Sequence, residues 1–226
     1  LLGSRGQFNL THRESHEHPS PLIPGEPVAI HFRLNAAGHA LLPGHRWRLT
    51  LSPTSWPHAW PSPAEVELTL HTGAASRLDL PIRPPDPQDA SLPPFAPPEI
   101  SAPIPTRVIR TPTFRRTITR DVLTGRAELT SRSDAGRAHF IPPGLEEGSV
   151  TTNTCTITEG QPLSAQARCE RTVELAGEGW AVRIETQSTM TSTAEHFHVT
   201  NLLEAFEGEG RVFAKTWAHT IPRDMV

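Results

Sequence analysis

Proline is the residue that most limits how this chain can fold. The 226 residues include 24 prolines, about twice the usual frequency of ~5%. Because proline lacks a backbone donor and its ring collides with the preceding helical turn, long helices cannot run through such a sequence. We therefore expect no all-α fold. The length suits one large domain or two small ones.

Between the prolines, apolar and polar residues alternate with a period of two, as in strands with one buried face. In the first third of the chain, the alternating stretches are 28–34, 47–51, 66–70 and 78–82. The later stretches are 108–109, 114–123, 127–130, 149–158, 163–173, 180–187, 196–206 and 211–221. Many short strands separated by Gly and Pro turns indicate an all-β, mostly antiparallel β-sandwich. Hairpins are predicted between 66–70 and 78–82 and between the last two strands.

A proline-rich stretch at 84–105 divides the chain. Such a stretch cannot donate enough backbone hydrogen bonds for a helix or a sheet interior, and we interpret it as a linker or surface strap in partly polyproline form. The predicted organisation is a β-sandwich region at 1–83, the strap at 84–105, and a second antiparallel β segment at 106–226 that packs on the first.

The charge of the chain gives no reason to expect nucleic acid or an anionic membrane as a partner, because the formal net charge is −3. No apolar run approaches the ~18 residues of a membrane span, and the beginning does not resemble a signal peptide. We expect a cytoplasmic protein. The chain begins Leu1-Leu2-Gly3 without an initiator methionine, which suggests a piece of a longer protein.

The two cysteines, Cys155 and Cys169, fall on neighbouring predicted strands. A turn centred on Pro162 would place them opposite each other, close enough for a disulfide. The favoured interpretation is two reduced, half-buried thiols, since free cysteine behaves as a small hydrophobe.

The sequence lacks the common local signatures of catalysis: G-x-S-x-G, the phosphate loop, H-E-x-x-H and C-x-x-C. We therefore assign no catalytic residue and no cofactor to this chain. Histidines cluster twice, at 12, 16 and 18 and at 196 and 198. Zinc needs three or four fixed protein ligands, so we interpret these groups as solvated loop residues and an exposed strand face, and predict no metal site.

Five arginines without an intervening acid lie close together in sequence. They are Arg107, Arg110, Arg115, Arg116 and Arg120. Arginine suits bidentate contacts to phosphate, and Arg115 and Arg116 are our candidates for anion contacts. The favoured interpretation is an exposed basic strand face.

Two tryptophans and a histidine, Trp56, His58 and Trp60, lie in a rigid proline-rich segment at 55–63. Aromatic residues on a fixed loop line clefts, dock one domain on another, plug a core or bind glycans. Cleft lining or domain docking is the favoured role.

Several separated segments resemble the X-Pro dipeptidyl-peptidase and cocaine esterase family of serine hydrolases in its C-terminal region. The segments are 4–13 (SRGQFNLTHR), 43–49 (PGHRWRL), 56–63 (WPHAWPSP), 161–165 (QPLSA) and 221–224 (IPRD). The family element resembled by 161–165 commonly has an acid at the position of Gln161.

This resemblance implies a jelly-roll-like (galactose-binding-like) β-sandwich that packs on an α/β-hydrolase domain and helps to wall the substrate cleft. It also implies that the catalytic serine, aspartate and histidine belong to that other domain, so the parent protein is an enzyme while this piece alone is not. The expected partners are the α/β-hydrolase domain of the parent chain and, in a homo-oligomer, a second subunit. A free-standing jelly-roll module that binds glycans or extended peptides is the alternative.

Overall fold

The computed structural model describes residues 4–226 and consists almost entirely of strands and irregular segments, which confirms the predicted all-β class. Two short 3₁₀ helices occur, at Leu10–His12 and Pro87–Ser91. The strands are β1 Thr106–Arg110, β2 Thr113–Arg120, β3 Arg126–Phe140, β4 Leu145–Thr158, β5 Gln161–Gly177, β6 Trp180–Ser192, β7 His196–Glu207 and β8 Gly210–Pro222. Neither helix has the length or the apolar character needed to cross a membrane.

All eight strands belong to one antiparallel sheet, in the order β1-β3-β4-β5-β6-β7-β8. β3 has two neighbours on the same side, because β2 pairs with its first part and β1 with its last residues. From β3 onward each strand pairs with the next one in sequence through a tight turn. The predicted hairpin between the last two strands is confirmed, with Glu207 opposite Gly210.

The strand register gives the sheet two unlike faces. Since side chains alternate between faces along a strand, residues opposite each other in register lie on one face. One such row consists of Leu129, Cys155, Ala167, Met190 and Val199, and we call its face the apolar face. A row on the other face, the polar face, consists of Arg132, Thr152, Glu170 and Gln187.

The cysteines are two residues out of the predicted alignment. Cys155 lies opposite Ala167, while Cys169 lies opposite Asn153. The predicted turn at Pro162 is wrong, because the connection is the shorter one at Glu159 and Gly160 and β5 begins at once. Both thiols are free and half-buried, as the favoured interpretation proposed.

A β-bulge interrupts β3 between Asp134 and Arg137. Gly136 adopts a φ of 79° there, and its N–H donates to the Asp134 carboxylate at 2.8 Å. Arg110 reaches across the bulge and donates to Asp134 at 3.1 Å and to Glu174 at 3.0 Å. The bulge is thus fixed by one nearly buried carboxylate, 8% exposed, and by the arginine that bridges to β5.

Residues 4–105 differ from the prediction, since the structure has no strand in this part of the chain. The turn expected between 66–70 and 78–82 is present, with the Ser76 N–H donating to the Gly73 carbonyl at 3.0 Å, but no ladder follows it. An alternating segment becomes a strand only when a neighbour accepts and donates its backbone hydrogen bonds. Without one, the alternating apolar residues remain exposed, for example Val28 at 41% and Trp47 at 56%.

The proline-rich stretch contains one regular element that its sequence pattern does not predict. The 3₁₀ helix Pro87–Ser91 begins with proline, whose fixed φ suits a first helical turn. Asp86 caps it by accepting a hydrogen bond from the Gln88 N–H at 2.9 Å. Arg83 pairs with Asp89 at the surface, and the remaining residues to 105 are irregular and exposed.

Candidate functional site: the tryptophan loop

Residues 55–63, which we call the tryptophan loop, form a tight turn before the loop meets the sheet. The carbonyl of Ser55 accepts hydrogen bonds from the backbone N–H groups of His58 at 2.7 Å and Ala59 at 3.0 Å. The peptide bond between Trp56 and Pro57 is cis. The turn brings the rings of Trp56 and Trp60 together edge-to-face, with centroids 5.0 Å apart.

Trp60 attaches this loop to the hairpin of β6 and β7. Its indole N–H donates a hydrogen bond to the Ser192 hydroxyl at 2.8 Å. Its ring packs edge-to-face on Phe197, with centroids 5.8 Å apart. Ser192 ends β6 and lies opposite Phe197 in the register, so one indole contacts both strands where they approach their turn.

Arg223 closes the site from the end of β8. It is only 3% exposed, and its guanidinium lies over the Phe197 ring, 4.8 Å from the centroid. One terminal nitrogen donates to the Pro61 carbonyl at 2.6 Å. The other lies 3.4 Å from the Ser192 hydroxyl and 3.3 Å from the Thr193 carbonyl. A single side chain thereby joins the tryptophan loop, the β6–β7 turn and the chain beyond β8.

The guanidinium of Arg223 faces neutral oxygens at Pro61, Ser192 and Thr193, and its Nε donates to the main-chain oxygen of Val226 at 2.7 Å. Burial lowers the pKa of Arg223, but an arginine stays protonated at neutral pH. Hydrogen bonds from a charged donor are about twice as strong as neutral ones. The buried charge is therefore compensated by these main-chain and hydroxyl oxygens and by the ring of Phe197.

A third segment, the loop that begins with the first 3₁₀ helix, reaches the same region. The hydroxyl of Thr11 donates to the Met225 carbonyl at 2.7 Å. Arg13 stabilises this loop by donating to the carbonyls of Leu10 at 3.1 Å and Ser20 at 3.0 Å. The site is therefore assembled from segments at both ends of the sequence.

The three residues singled out in the tryptophan loop have different surroundings. Trp56 and Trp60 are half-buried against each other and the sheet, whereas His58 is exposed at the turn. The loop is thus held by its tryptophans and presents its histidine outward. Such an arrangement leaves His58 accessible to another surface.

The arginines proposed for anion contacts lie elsewhere, on β2 at one edge of the sheet. Arg115 and Arg116 are both exposed, and Arg115 lies opposite Arg132 in the register. Two others in the same run are paired with acids: Arg110 with Asp134 and Glu174, and Arg120 with Glu159. The run is consequently not one uniform basic strip, and Arg115 and Arg116 stay a prediction.

The histidine clusters do not assemble into metal sites in the part of the chain that the structure describes. There, no group of three or more His, Cys, Asp or Glu side chains converges. His12 and His16 approach each other, with their Nδ1 atoms 3.3 Å apart. His198 pairs instead with the Thr220 hydroxyl, with 3.3 Å between Nδ1 and the oxygen.

Three residues of the site are not predicted by the sequence: Ser192, Phe197 and Arg223. Arg223 had a signal, because it lies in the segment 221–224 that carries part of the family resemblance. Ser192 and Phe197 had none, since one ends a polar strand and the other fits an ordinary alternating pattern. Only the tertiary contact with Trp60 distinguishes them.

Comparison with known families supports the resemblance for the first part of the chain. Residues 3–91 match the family model of the X-Pro dipeptidyl-peptidase C-terminal non-catalytic domain. This match includes the whole tryptophan loop and ends before β1. Neither the curated proteins nor the solved structures contain a match to the chain.

Proposed function

We propose that this chain is the non-catalytic C-terminal part of a serine hydrolase of the X-Pro dipeptidyl-peptidase or acyl esterase type. In this proposal it packs on an α/β-hydrolase domain and helps to wall the substrate cleft. The observation that carries the proposal is the match of residues 3–91 to a domain described as non-catalytic. The acyl-enzyme forms on a serine of the hydrolase domain, so this chain supplies packing and shape to the cleft.

The large uncovered surface supports docking on another domain. The solvent-accessible surface is 17930 Å², whereas a compact monomer of this mass exposes about 10,000 Å². Large apolar side chains are exposed on this surface, for example Leu49 at 56% and Leu68 at 52%. A partner domain that covers these side chains would remove them from water, and a hydrolase domain is the partner consistent with the family match.

The tryptophan loop supports the cleft-wall role. Trp60 and Arg223 fix the loop to the sheet through one part-buried and one buried hydrogen bond, so the exposed His58 projects from a rigid base. A positioned side chain can orient substrate without taking part in the chemistry, because binding groups on rigid elements reduce the entropy lost in reaching the transition state. Trp56, His58 and Trp60 are the proposed contributors, with His58 closest to substrate.

The glycan-binding alternative has less support. A sugar-binding platform needs an open aromatic face, whereas Trp60 packs between Trp56 and Phe197. The packing of Trp60 therefore favours the accessory-domain function over glycan binding.

Two experiments test the proposal. The chain alone, given p-nitrophenyl esters and X-Pro anilides, should show only background hydrolysis. The same chain should bind the hydrolase domain encoded with it, in a pull-down between separately purified parts. A burst of acylation by the chain alone, or no binding between the two parts, would overturn the proposal.

In the full-length enzyme, His58→Ala should lower kcat/KM several-fold without changing the unfolding midpoint. His39→Ala is the matched control, since His39 is also exposed in the first third of the chain, and it should leave kcat/KM unchanged. Equal effects of the two substitutions would contradict the placement of His58 at the cleft.

A further inference from the structure

The sulfur-containing side chains of this chain are concentrated at one place on the sheet. The chain has two cysteines and two methionines. Cys155 lies opposite Ala167 on one side, and Met190 lies opposite the same alanine on the other side. Cys169 follows Ala167 by two residues on β5, so all three side chains lie on the apolar face. Three of the four sulfur-containing residues therefore surround one small residue.

The two cysteines are separated by a distance that suits a bridging metal ion better than a disulfide. Because Cys155 lies opposite Ala167, it is a diagonal neighbour of Cys169, and diagonal neighbours are about 7–8 Å apart. Cysteines more than about 7 Å apart between Cα atoms cannot form a disulfide unless the backbone moves. A metal ion replaces one S–S bond of about 2.05 Å by two metal–sulfur bonds of about 2.3 Å each, so it spans the longer diagonal.

The third sulfur can reach the same point. Ala167 lies between Cys155 and Met190 and has only a methyl group, which leaves space above β5 on this face. Methionine is unbranched and flexible, so its thioether can lie over the alanine. Both thiols are free and half-buried, and Met190 is half-buried as well. The cluster is thus accessible to an ion and partly shielded from water.

We propose that Cys155, Cys169 and Met190 bind one soft monovalent metal ion, Cu⁺ or its analogue Ag⁺, through two thiolates and one thioether. Each thiol loses its proton to solvent as its sulfur bonds to the metal, and no electron is transferred. Thiolate and thioether ligands select Cu⁺. Zinc in proteins instead takes Cys, His or carboxylate ligands, at least three of them, and no three such side chains converge in residues 4–226.

This inference is independent of the proposed function. All three ligands lie on β4, β5 and β6, outside the segment 3–91 that matches the non-catalytic domain. A negative result for metal binding would therefore leave the accessory-domain proposal unchanged.

An anaerobic titration of the full, metal-free chain with Cu⁺, in competition with a chromophoric chelator, tests the site. The wild type should bind one Cu⁺ per chain, release two protons and gain an ultraviolet thiolate-to-copper charge-transfer band. C155S and C169S should each weaken binding by at least about 100-fold, more than the loss of an outer-shell partner usually does. M190L should weaken it about tenfold, because a neutral thioether is a weaker ligand than a thiolate. M225L removes the other methionine and should leave the affinity unchanged.

A matched variant separates this site from simple thiol chemistry. C169S/E170C keeps two thiols but moves one to the polar face, where Glu170 lies, and should bind Cu⁺ as weakly as C169S. X-ray absorption at the copper edge should show only sulfur neighbours in the loaded wild type. Circular dichroism confirms that each variant is folded. Wild-type affinity in C169S/E170C, equal effects of M190L and M225L, or Zn²⁺ bound as tightly as Cu⁺ would each rule out the proposed site.

Discussion

The indole N–H of Trp60 donates a hydrogen bond to the hydroxyl of Ser192 at 2.8 Å, across 132 residues of sequence. This bond connects a segment without strands to the end of β6, and it is partly shielded from water. The same hydroxyl lies 3.4 Å from a nitrogen of Arg223. Ser192 therefore links the aromatic contact to the buried charge, and the three residues should behave as one unit.

Trp60→Phe should lower the free energy of unfolding by about 1–2 kcal/mol, because it keeps an aromatic ring but removes the part-buried hydrogen bond to Ser192. Ser192→Ala should have a similar effect. The double variant should lose less free energy of unfolding than the sum of the two single variants, since the residues are coupled. Urea denaturation measures all three. Trp47→Phe is the control, at a tryptophan that is 56% exposed, and should change stability by less than about 0.5 kcal/mol.

Arg223→Lys should destabilise the chain by about 2–3 kcal/mol although it keeps the positive charge. Lysine has a single nitrogen and no planar fork, so it cannot reach the carbonyls of Pro61 and Val226 together. Hydrogen bonds from a charged donor are worth about 1.5–3 kcal/mol. Arg211→Lys, at an exposed pair with Glu204, should cost less than about 1 kcal/mol. Equal losses at the two positions would show that the Arg223 contacts do not contribute.

Acid should destabilise the bulge of β3 through Asp134. The hydrogen bond from the Gly136 N–H, together with Arg110, lowers the pKa of Asp134, while partial burial opposes the shift. A carboxylate with a lowered pKa in the folded state stabilises that state above its unfolded pKa of ~3.9, and the contribution disappears as the pH falls through the folded pKa.

The variant Asp134→Asn should therefore be less stable than the wild type at pH 7, and the gap should narrow as the pH falls below about 4. Denaturation midpoints measured from pH 7 to pH 2 give both curves. Asp79→Asn removes a carboxylate that is 74% exposed and serves as the control for a simple change of net charge. A gap for Asp134→Asn that stays constant with pH would exclude this ionisation as its cause.

The sequence predicts the second half of the sheet better than the first. Strands β5 to β8 have apolar residues on one face, and their period is visible without tertiary information. The second half of β3 is missed, because Ser131, Ser133, Asp134 and Arg137 place polar groups on both faces of the strand. In residues 4–105 the two-residue alternation is equally clear, but no strand ladder forms. Alternation indicates that one face of a segment prefers to be buried, but it does not provide the neighbouring strand that the backbone hydrogen bonds need.

The candidate site, like the sheet, could be predicted from the sequence only in part. Two tryptophans in a proline-rich segment, with His58 between them, distinguish residues 55–63 in the sequence. The contacts that hold the loop are tertiary. Ser192 and Arg223 become site residues only because the end of the sheet brings them to Trp60, and no local pattern encodes a contact over that separation.

Gly136→Ala should be among the most destabilising single substitutions in β3, with a loss of about 3 kcal/mol or more. The φ of 79° already disfavours any side chain by about 1–2 kcal/mol. In addition, an added Cβ would overlap the Arg110 carbonyl oxygen and lie 3.0 Å from Pro112, so β1 would have to move away from β3.

Gly144→Ala separates the two causes, because Gly144 has a φ of 65° with no atom within 4 Å of the added Cβ. In that control the free energy of unfolding should fall only by the conformational cost of the positive φ, about 1–2 kcal/mol. Chemical denaturation of both variants measures the two free energies. Equal losses would mean that β1 moves freely at the bulge, and the ion pair between Arg110 and Asp134 would then be too weak to hold the two strands together.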